Sequence, residues 1–240
     1  MLKEYVSIIC VTFPFLINSL GSFFVYFVPK RIDGGVISGF TAGVMASACI
    51  WSLIVPSIKL SLPFGGLAFL PVCGGIVAGI FIIFISQLLL KKCSKEFKLK
   101  KLFWAITLHN IPEGLAVGFA VGAGGEFLYN ALAVSFGIGL QNFPEGLALS
   151  LAYKKAGKSN MKSFAYGIIS GIAEPISALI GLLLVNYLSF LQPLILAFSA
   201  GVMIFVIVDE LIPESVTSKR GVVGFLIGFL LMTALDLLLG

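Results

Sequence analysis

The sequence predicts an all-α, polytopic membrane protein, and three observations support this prediction: the composition, the length of the apolar runs and the placement of the basic residues. Hydrophobic residues make up 59% of the 240 positions and charged residues only 11%, whereas a soluble domain carries about 25% charged residues. The mean hydropathy is +1.09. Because a transmembrane helix needs about 20 apolar residues, the length fits eight spans in a single domain, residues 1–240.

Eight apolar runs are each long enough to cross a bilayer. The first is predicted to be a retained helix, because its apolar run is too long for a signal peptide and no small-residue cleavage site follows it. Glycine pairs in the third run, Gly65–Gly66 and Gly74–Gly75, favour tight helix contacts. The predicted spans are residues 5–28, 35–57, 65–90, 102–121, 128–152, 162–187, 191–211 and 221–239.

The basic residues lie almost entirely in alternate connections between the spans, which assigns those connections to the cytoplasm. Both termini are therefore predicted on the non-cytoplasmic side. Only Lys3 and Lys59 lie on the opposite face. The net charge of +5 is interpreted as a signal for topology and lipid contact, and no aromatic and basic patch predicts a nucleic acid partner. The 14 residues in the cytoplasmic connections are Lys30, Arg31, Lys91, Lys92, Lys95, Lys98, Lys100, Lys101, Lys154, Lys155, Lys158, Lys162, Lys219 and Arg220.

One polar motif occurs twice, in spans four and five. HNIPEGLA at residues 109–116 returns as QNFPEGLA at residues 141–148, 32 positions later. An ionisable side chain inside a bilayer costs about 2.5 kcal/mol or more, and by default it marks a functional site. The connection between these spans, residues 122–127, is short enough to make them antiparallel neighbours. The two copies are therefore predicted to meet near the bilayer midplane.

The spacing within each copy predicts a cation site. Residues i and i+4 share a helix face, which puts His109 over Glu113 and Gln141 over Glu145. Imidazole nitrogen and carboxylate or amide oxygen are ligands for divalent cations. A single buried His is more often a hydrogen-bonded core residue than a ligand, but this one lies one turn from a buried Glu in a repeated pattern. The repeat favours a metal site over ordinary packing.

Each copy also contains an amide and a proline. Asn110 and Asn142 follow the first residue of the motif and add amide oxygens to the predicted site. Pro112 and Pro144 lack an N–H and clash with the preceding turn, so both helices are predicted to bend and to free backbone carbonyls.

Five more acids lie in or near the later spans, and one of them, Asp236, is in span eight. Glu174, followed by Pro175, is a third buried carboxylate at the centre of span six. Asp209, Glu210 and Glu214 lie near a membrane boundary, where water can solvate a charge, so their functional interpretation is weaker.

The sulfur-containing and hydroxyl residues give weaker signals. Met45 and Ser52, in span two, have helix packing as their simplest interpretation. The scattered cysteines Cys10, Cys49, Cys73 and Cys93 predict neither a disulfide framework nor a CxxC metal site.

Taken together, these motifs resemble those of the ZIP (ZRT/IRT-like) divalent-metal transporters, and the chain is similar to the bacterial GufA-like or ZupT-like branch. The resemblance rests on HNIPEG in span four, QNFPEG in span five, the central Glu-Pro of span six, DELIPES in span seven and the basic linker before span four. It implies an eight-helix bundle in which spans one to three and six to eight form an inverted 3+2+3 arrangement around spans four and five. It also implies a homodimer in the plasma (inner) membrane.

The resemblance further implies a paired metal centre. One ion is expected at His109, Glu113, Gln141 and Glu145, and the second at Asn110, Asn142 and Glu174 with the two motif carboxylates bridging. Two departures affect ligand strength, since many relatives have His at the position of Gln141 and some have an acid at that of Asn142. The resemblance assigns auxiliary pathway positions to Met45, Ser52, Glu210 and Asp236.

The predicted function is transport of divalent metal cations into the cytoplasm, with zinc first and iron(II), manganese(II), cobalt(II) and cadmium also possible. The metal is cargo, no resident cofactor is expected, and the chain is not predicted to be an enzyme. The alternatives are an intramembrane metalloenzyme, which would need a second His on one helix face, and a proton-coupled transporter of an organic solute. Buried acids also predict that metal binding displaces protons.

Overall fold

The computed structural model describes residues 2–29, 33–89, 95–123 and 128–239, which form helices and no strand. Lys30, Arg31, Lys91, Lys92, Cys93 and most of the connection between spans four and five lie outside the described residues. The helices are α1 (Leu2–Phe23), α2 (Gly34–Ala48), α3 (Val55–Ser61), α4 (Phe69–Leu89), α5 (Lys95–Ala123), α6 (Leu128–Lys155), α7 (Asn160–Gly171), α8 (Ala173–Leu188), α9 (Gln192–Val206), α10 (Ile212–Ser215) and α11 (Lys219–Leu239).

The described helices form eight rods that correspond to the eight predicted spans. A π-helical segment, Cys49–Ile54, joins α2 to α3, and a second, Ile207–Leu211, joins α9 to α10. Six rods are long and apolar enough to cross a membrane. The remaining two, α5 and α6, have 29 and 28 residues and carry the polar motif copies, which lower their hydropathy. The all-α polytopic membrane class is confirmed.

Two local features differ from, or refine, the sequence prediction. The predicted start of span three is too early, because α4 begins at Phe69. Gly65 instead has φ of 57° in a turn, and a Cβ atom added at Gly65, Gly66 or Gly74 would meet nothing within 4 Å. The prediction that these three glycines make tight helix contacts is therefore wrong. Gly75 does make such a contact, with α9. The sixth rod is divided into α7 and α8 two residues before Pro175.

The helix pairs that pack most extensively are related to one another by a pseudo-twofold symmetry. α1 packs on α6 and α5 on α8, while α2 packs on α11 and α4 on α9. Exchanging span one with six, two with seven, three with eight and four with five converts each of these pairs into another. The two π-helical segments also exchange, and each is followed at its second position by proline, Pro56 or Pro213. The packing thus has the symmetry that an inverted 3+2+3 arrangement predicts.

Glycines allow the exchanged pairs to approach closely. A side chain at Gly39 or Gly43 would collide with the α11 backbone, and one at Gly79 would collide with the Phe198 carbonyl of α9. Because lipid is as apolar as a leucine side chain, helices in a membrane associate through close packing of small residues. These glycines therefore determine how near the rods lie.

A buried lysine ties the end of the first rod to α6. Lys154 donates hydrogen bonds to the carbonyl oxygens of Val25 and Val28, both at 2.7 Å. Carbonyls at a helix C-terminus have no intrahelical partner, and a cation there is favourable. The contact fixes the register between α1 and the second motif helix.

We predict that Gly79→Val destabilises the protein and that Gly74→Val does not. The added side chain at residue 79 would meet backbone atoms of α9, whereas residue 74 has open space around it. Overpacking of this kind costs about 1–3 kcal/mol. Thermal unfolding in detergent would measure the difference, and equal midpoints for the two variants would contradict the proposed role of the α4–α9 contact.

Candidate metal centre

The two motif copies meet through hydrogen bonds that cross between α5 and α6. His109 Nε2 lies 2.9 Å from Glu145 Oε2, and Gln141 Nε2 donates to Glu113 Oε1 at 2.6 Å. The sequence placed each of these acids beside the motif's first residue on its own helix. The observed partners are instead exchanged between the copies, so each carboxylate is held by the other helix.

Glu174 joins the two motif helices from α8. Its Oε2 accepts a hydrogen bond of 2.7 Å from Asn142 Nδ2, and Asn110 Nδ2 donates to the Ser170 carbonyl at 3.1 Å. A side chain at Gly114 would collide with the Glu174 carbonyl. The glycine of the first motif copy therefore allows α8 to bring the third acid to the site.

The seven predicted ligands are brought together in the interior of the bundle. Each is at most 1% exposed. The charges of Glu113, Glu145 and Glu174 are close enough to interact with one another, and those of the first two interact with His109. Ionisation of all three acids would therefore be costly at this degree of burial. His109 Nδ1 is buried and has no hydrogen-bond partner among the described residues.

Six of these seven residues leave one buried oxygen with no hydrogen-bond partner among the described residues. A buried polar atom without a partner loses its hydration and gains nothing in return. Amide and carboxylate oxygens have lone pairs that bind a divalent cation. The atoms are Asn110 Oδ1, Glu113 Oε2, Gln141 Oε1, Asn142 Oδ1, Glu145 Oε1 and Glu174 Oε1.

Within the described part of the chain, no three His, Cys, Asp or Glu side chains already have the arrangement of a metal site. The reason is visible in the hydrogen bonds, since every motif acid is paired with an imidazole or an amide instead of another acid. Donor atoms of the required chemistry are present, and an arriving cation would exchange these pairs for its own contacts.

Asn18 of α1 is a buried polar residue near the site that sequence reasoning missed. It is 1% exposed, donates to the Gly167 carbonyl at 2.9 Å and leaves Oδ1 without a partner among the described residues. A side chain at Gly146, in the second motif copy, would collide with Asn18. In the same way, a side chain at Gly114, in the first copy, would collide with Glu174. The sequence feature that could have pointed to Asn18 is an isolated amide side chain in an apolar span.

Two of the auxiliary positions meet at the end of the bundle near the chain termini. Ser52 Oγ donates to Asp236 Oδ1 at 3.0 Å. Both residues, together with Lys59 and Gly137, line an outer cavity of about 290 Å³. Gly137 lies one helical turn before Gln141, and no motif ligand lines this cavity.

Glu210 lies toward the opposite, basic face, defined here as the bundle end that carries Lys101, Lys154 and Lys155. Lys101 forms ion pairs with both Glu210 and Asp209, and its Nζ lies 2.9 Å from Glu210 Oε1. The fourth auxiliary residue, Met45, is buried and lines an inner cavity of about 40 Å³ together with Glu145. Of the two cavities, only the inner one is lined by a motif ligand.

These features define the class of the protein: a helical membrane protein with a polar site at the centre of its bundle and cavities leading toward both faces. Known proteins identify the family. The sequence profile of the ZIP zinc transporters matches residues 101–236. Zinc transporter ZIP11 of Xenopus tropicalis is 31% identical, with 87% of this chain and 88% of that protein covered.

Bacterial relatives match a shorter part of the chain. Zinc transporter GufA of Myxococcus xanthus is 43% identical over 57% of this chain and 54% of its own length. Zinc transporter ZIPB of Bordetella bronchiseptica is 37% identical over 56% of this chain and 44% of its own. The chain belongs to the ZIP family of zinc transporters. Because this is a family of transporters, the intramembrane metalloenzyme alternative is set aside.

We predict that thiols placed in the two cavities react from opposite sides of the membrane. After replacement of the four native cysteines by serine, Ala133→Cys would introduce a thiol into the outer cavity and Ala152→Cys one into the inner cavity. A membrane-impermeant thiol reagent added outside intact cells should modify the first and spare the second until the membrane is opened. Modification of the second alone in intact cells would reverse the predicted topology.

Proposed function

We propose that the protein carries zinc and related divalent cations across the plasma membrane into the cytoplasm through the centre formed by α5, α6 and α8. The observation that carries this proposal is the set of six buried oxygens without partners, all on predicted ligands. Their burial costs free energy in an empty protein, and a divalent cation would offset that cost. The relatives named above are zinc transporters, which supports the same cargo.

The centre has enough donors for two ions. His109 and Gln141, with the motif carboxylates, would hold one ion. Asn110, Asn142 and Glu174 would hold the other, with Glu113 and Glu145 shared between the two. Three carboxylates balance most of the charge of two divalent ions, and these acids interact electrostatically in the empty site.

The donor set favours zinc without excluding related metals. It has one imidazole nitrogen and several carboxylate and amide oxygens and lacks a thiolate, which suits zinc, iron(II), manganese(II), cobalt(II) and cadmium better than copper(I). Affinity at a given site generally rises from manganese to zinc. The amide of Gln141, in place of a second imidazole, weakens the first site and eases release of the ion.

The sequence pattern and the resemblance support an orientation in the membrane and an assembly. The concentration of lysine and arginine in alternate connections supports a cytoplasmic basic face and two non-cytoplasmic termini. Relatives that include bacterial proteins support the plasma membrane as the location. A homodimer is part of the proposal.

We predict that Glu113→Ala and Glu145→Ala each abolish metal uptake while the protein remains folded. Each variant removes a carboxylate shared by both ion positions and leaves its crossed partner, Gln141 or His109, without an acceptor. Zinc uptake by proteoliposomes would be measured, with Glu4→Ala as a control because Glu4 is an exposed acid in the first helix. Uptake at the wild-type rate by either site variant would refute the ligand assignment.

Proton coupling is a second, separable part of the proposal. Three carboxylates buried together would repel one another, so an empty site should hold protons on some of them. Ligands must lose their protons to bind a metal. We therefore expect the zinc uptake rate to change with pH between about 5.5 and 8, the range in which metal and protons compete for such groups. Uptake measured in vesicles with equal pH on both sides would show this dependence, and a constant rate would rule the coupling out.

A further inference from the structure

The inner cavity connects a buried acid of the metal centre with an acid at the basic face. Glu145 lines it at the buried end, and Ser38 and Glu214 line it at the other. Glu145 is 1% exposed, and its Oε1 has no hydrogen-bond partner among the described residues. An ion that leaves the motif helices through this cavity would therefore pass from one carboxylate toward another.

Three helices form the end of the inner cavity that lies at the basic face. Glu214 of α10 accepts a hydrogen bond of 2.7 Å from Ser38 of α2, and its second oxygen lies 3.4 Å from Lys155 Nζ of α6. A side chain at Gly34 would collide with both the Lys155 ammonium and Glu214 Oε1. The glycine at the start of α2 thus leaves the space in which the lysine and the carboxylate meet.

The Lys155 ammonium shows that this position accepts a cation. The Lys155 and Glu214 side chains are 32% and 49% exposed, and an ion pair this exposed is weak. A divalent cation, with twice the charge of the ammonium and a preference for oxygen ligands, would compete effectively for the same carboxylate.

The size of the cavity explains why a ligand is needed there. Its volume is about 40 Å³, and a cavity needs about 10–15 Å³ of such volume to hold one water molecule. The cavity therefore has room for only a few water molecules beside an ion, and the protein must replace part of the hydration shell. The ion needs a protein oxygen at the mouth until water from the basic face replaces the lost ligands.

We propose that Glu214 and Ser38 form a further cation site, separate from the metal centre, which holds each ion after it leaves Glu145 and before it is released at the basic face. Lys155 occupies this site in the absence of the ion and returns when the ion departs, so it opposes rebinding. The inference rests on the proposed transport function and adds a release site to it.

Zinc uptake by proteoliposomes containing the full chain tests the site. Glu214→Gln should lower the maximal uptake rate about tenfold, the effect of a barrier raised by one lost contact to the ion. The half-saturating zinc concentration should not rise, because Glu214 is not among the predicted ligands of the metal centre. Ser38→Ala should lower the maximal rate in the same direction by a smaller factor, and it carries the test if Glu214→Gln does not fold.

Asp33→Asn provides the matched control. Asp33 lies at the start of α2 near the same face, and its side chain accepts a hydrogen bond from the Gly35 N–H. It does not line the inner cavity, and asparagine caps a helix as well as aspartate does. This variant loses the same charge and should retain the wild-type rate.

Equilibrium zinc binding to the purified protein gives a second readout. Glu214→Gln should remove a weakly bound zinc ion, and Lys155→Met should bind that ion more tightly than the wild type does. Wild-type uptake and unchanged zinc stoichiometry in Glu214→Gln, together with lost uptake in Glu145→Ala, would overturn the release site alone. Retained uptake in Glu145→Ala would instead overturn the proposed function.

Discussion

Burial of three carboxylates at the centre of a membrane bundle is the constraint on which the rest of the structure depends. An ionised group in a medium without water needs partners that are also buried. Here the partners are the imidazole of His109 and the amides of Gln141 and Asn142, each supplied by a helix other than that of its acid. The carboxylates are held by several helices at once, and the site exists only when α5, α6 and α8 are assembled.

Because the helix pairs are related by a pseudo-twofold symmetry, the two motif copies have similar surroundings. Gly114 and Gly146 occupy equivalent positions in the motif copies, and each permits close approach of a polar residue, Glu174 in one case and Asn18 in the other. One side thus contributes a charge and the other an amide. Similarly, Ser52 and Glu210 lie in the two exchanged π-helical segments, where one is bonded to an acid and the other to a lysine. The repeat provides the architecture, and the individual residues make its two ends chemically different.

The sequence was sufficient to predict the eight rods and the meeting of seven polar residues inside the bundle, because both depend on patterns that are strong within a single chain. That these residues bind metal stays a prediction. Apolar runs of about 20 residues have few other interpretations, and a polar motif repeated inside two of them is difficult to explain by packing. Hydrogen-bond partners were less predictable. The spacing of His109 and Glu113 indicates a shared helix face, but only the distance between α5 and α6 decides that the actual partner is Glu145. Asn18 was missed because its position becomes notable only beside the glycine that it contacts. The cavity that Glu214 shares with Glu145 was not predicted, because distant parts of the chain form it.

The anchoring of α1 by Lys154 also constrains how the molecule moves. The ammonium closes the C-terminal end of the first rod by binding two of its carbonyls, and it is only 6% exposed. Separation of α1 from α6 would leave a cation and two carbonyl groups unsatisfied at the edge of the hydrocarbon layer. A rearrangement that moved the second motif helix without the first rod would break both hydrogen bonds, so the structure favours joint movement of the two.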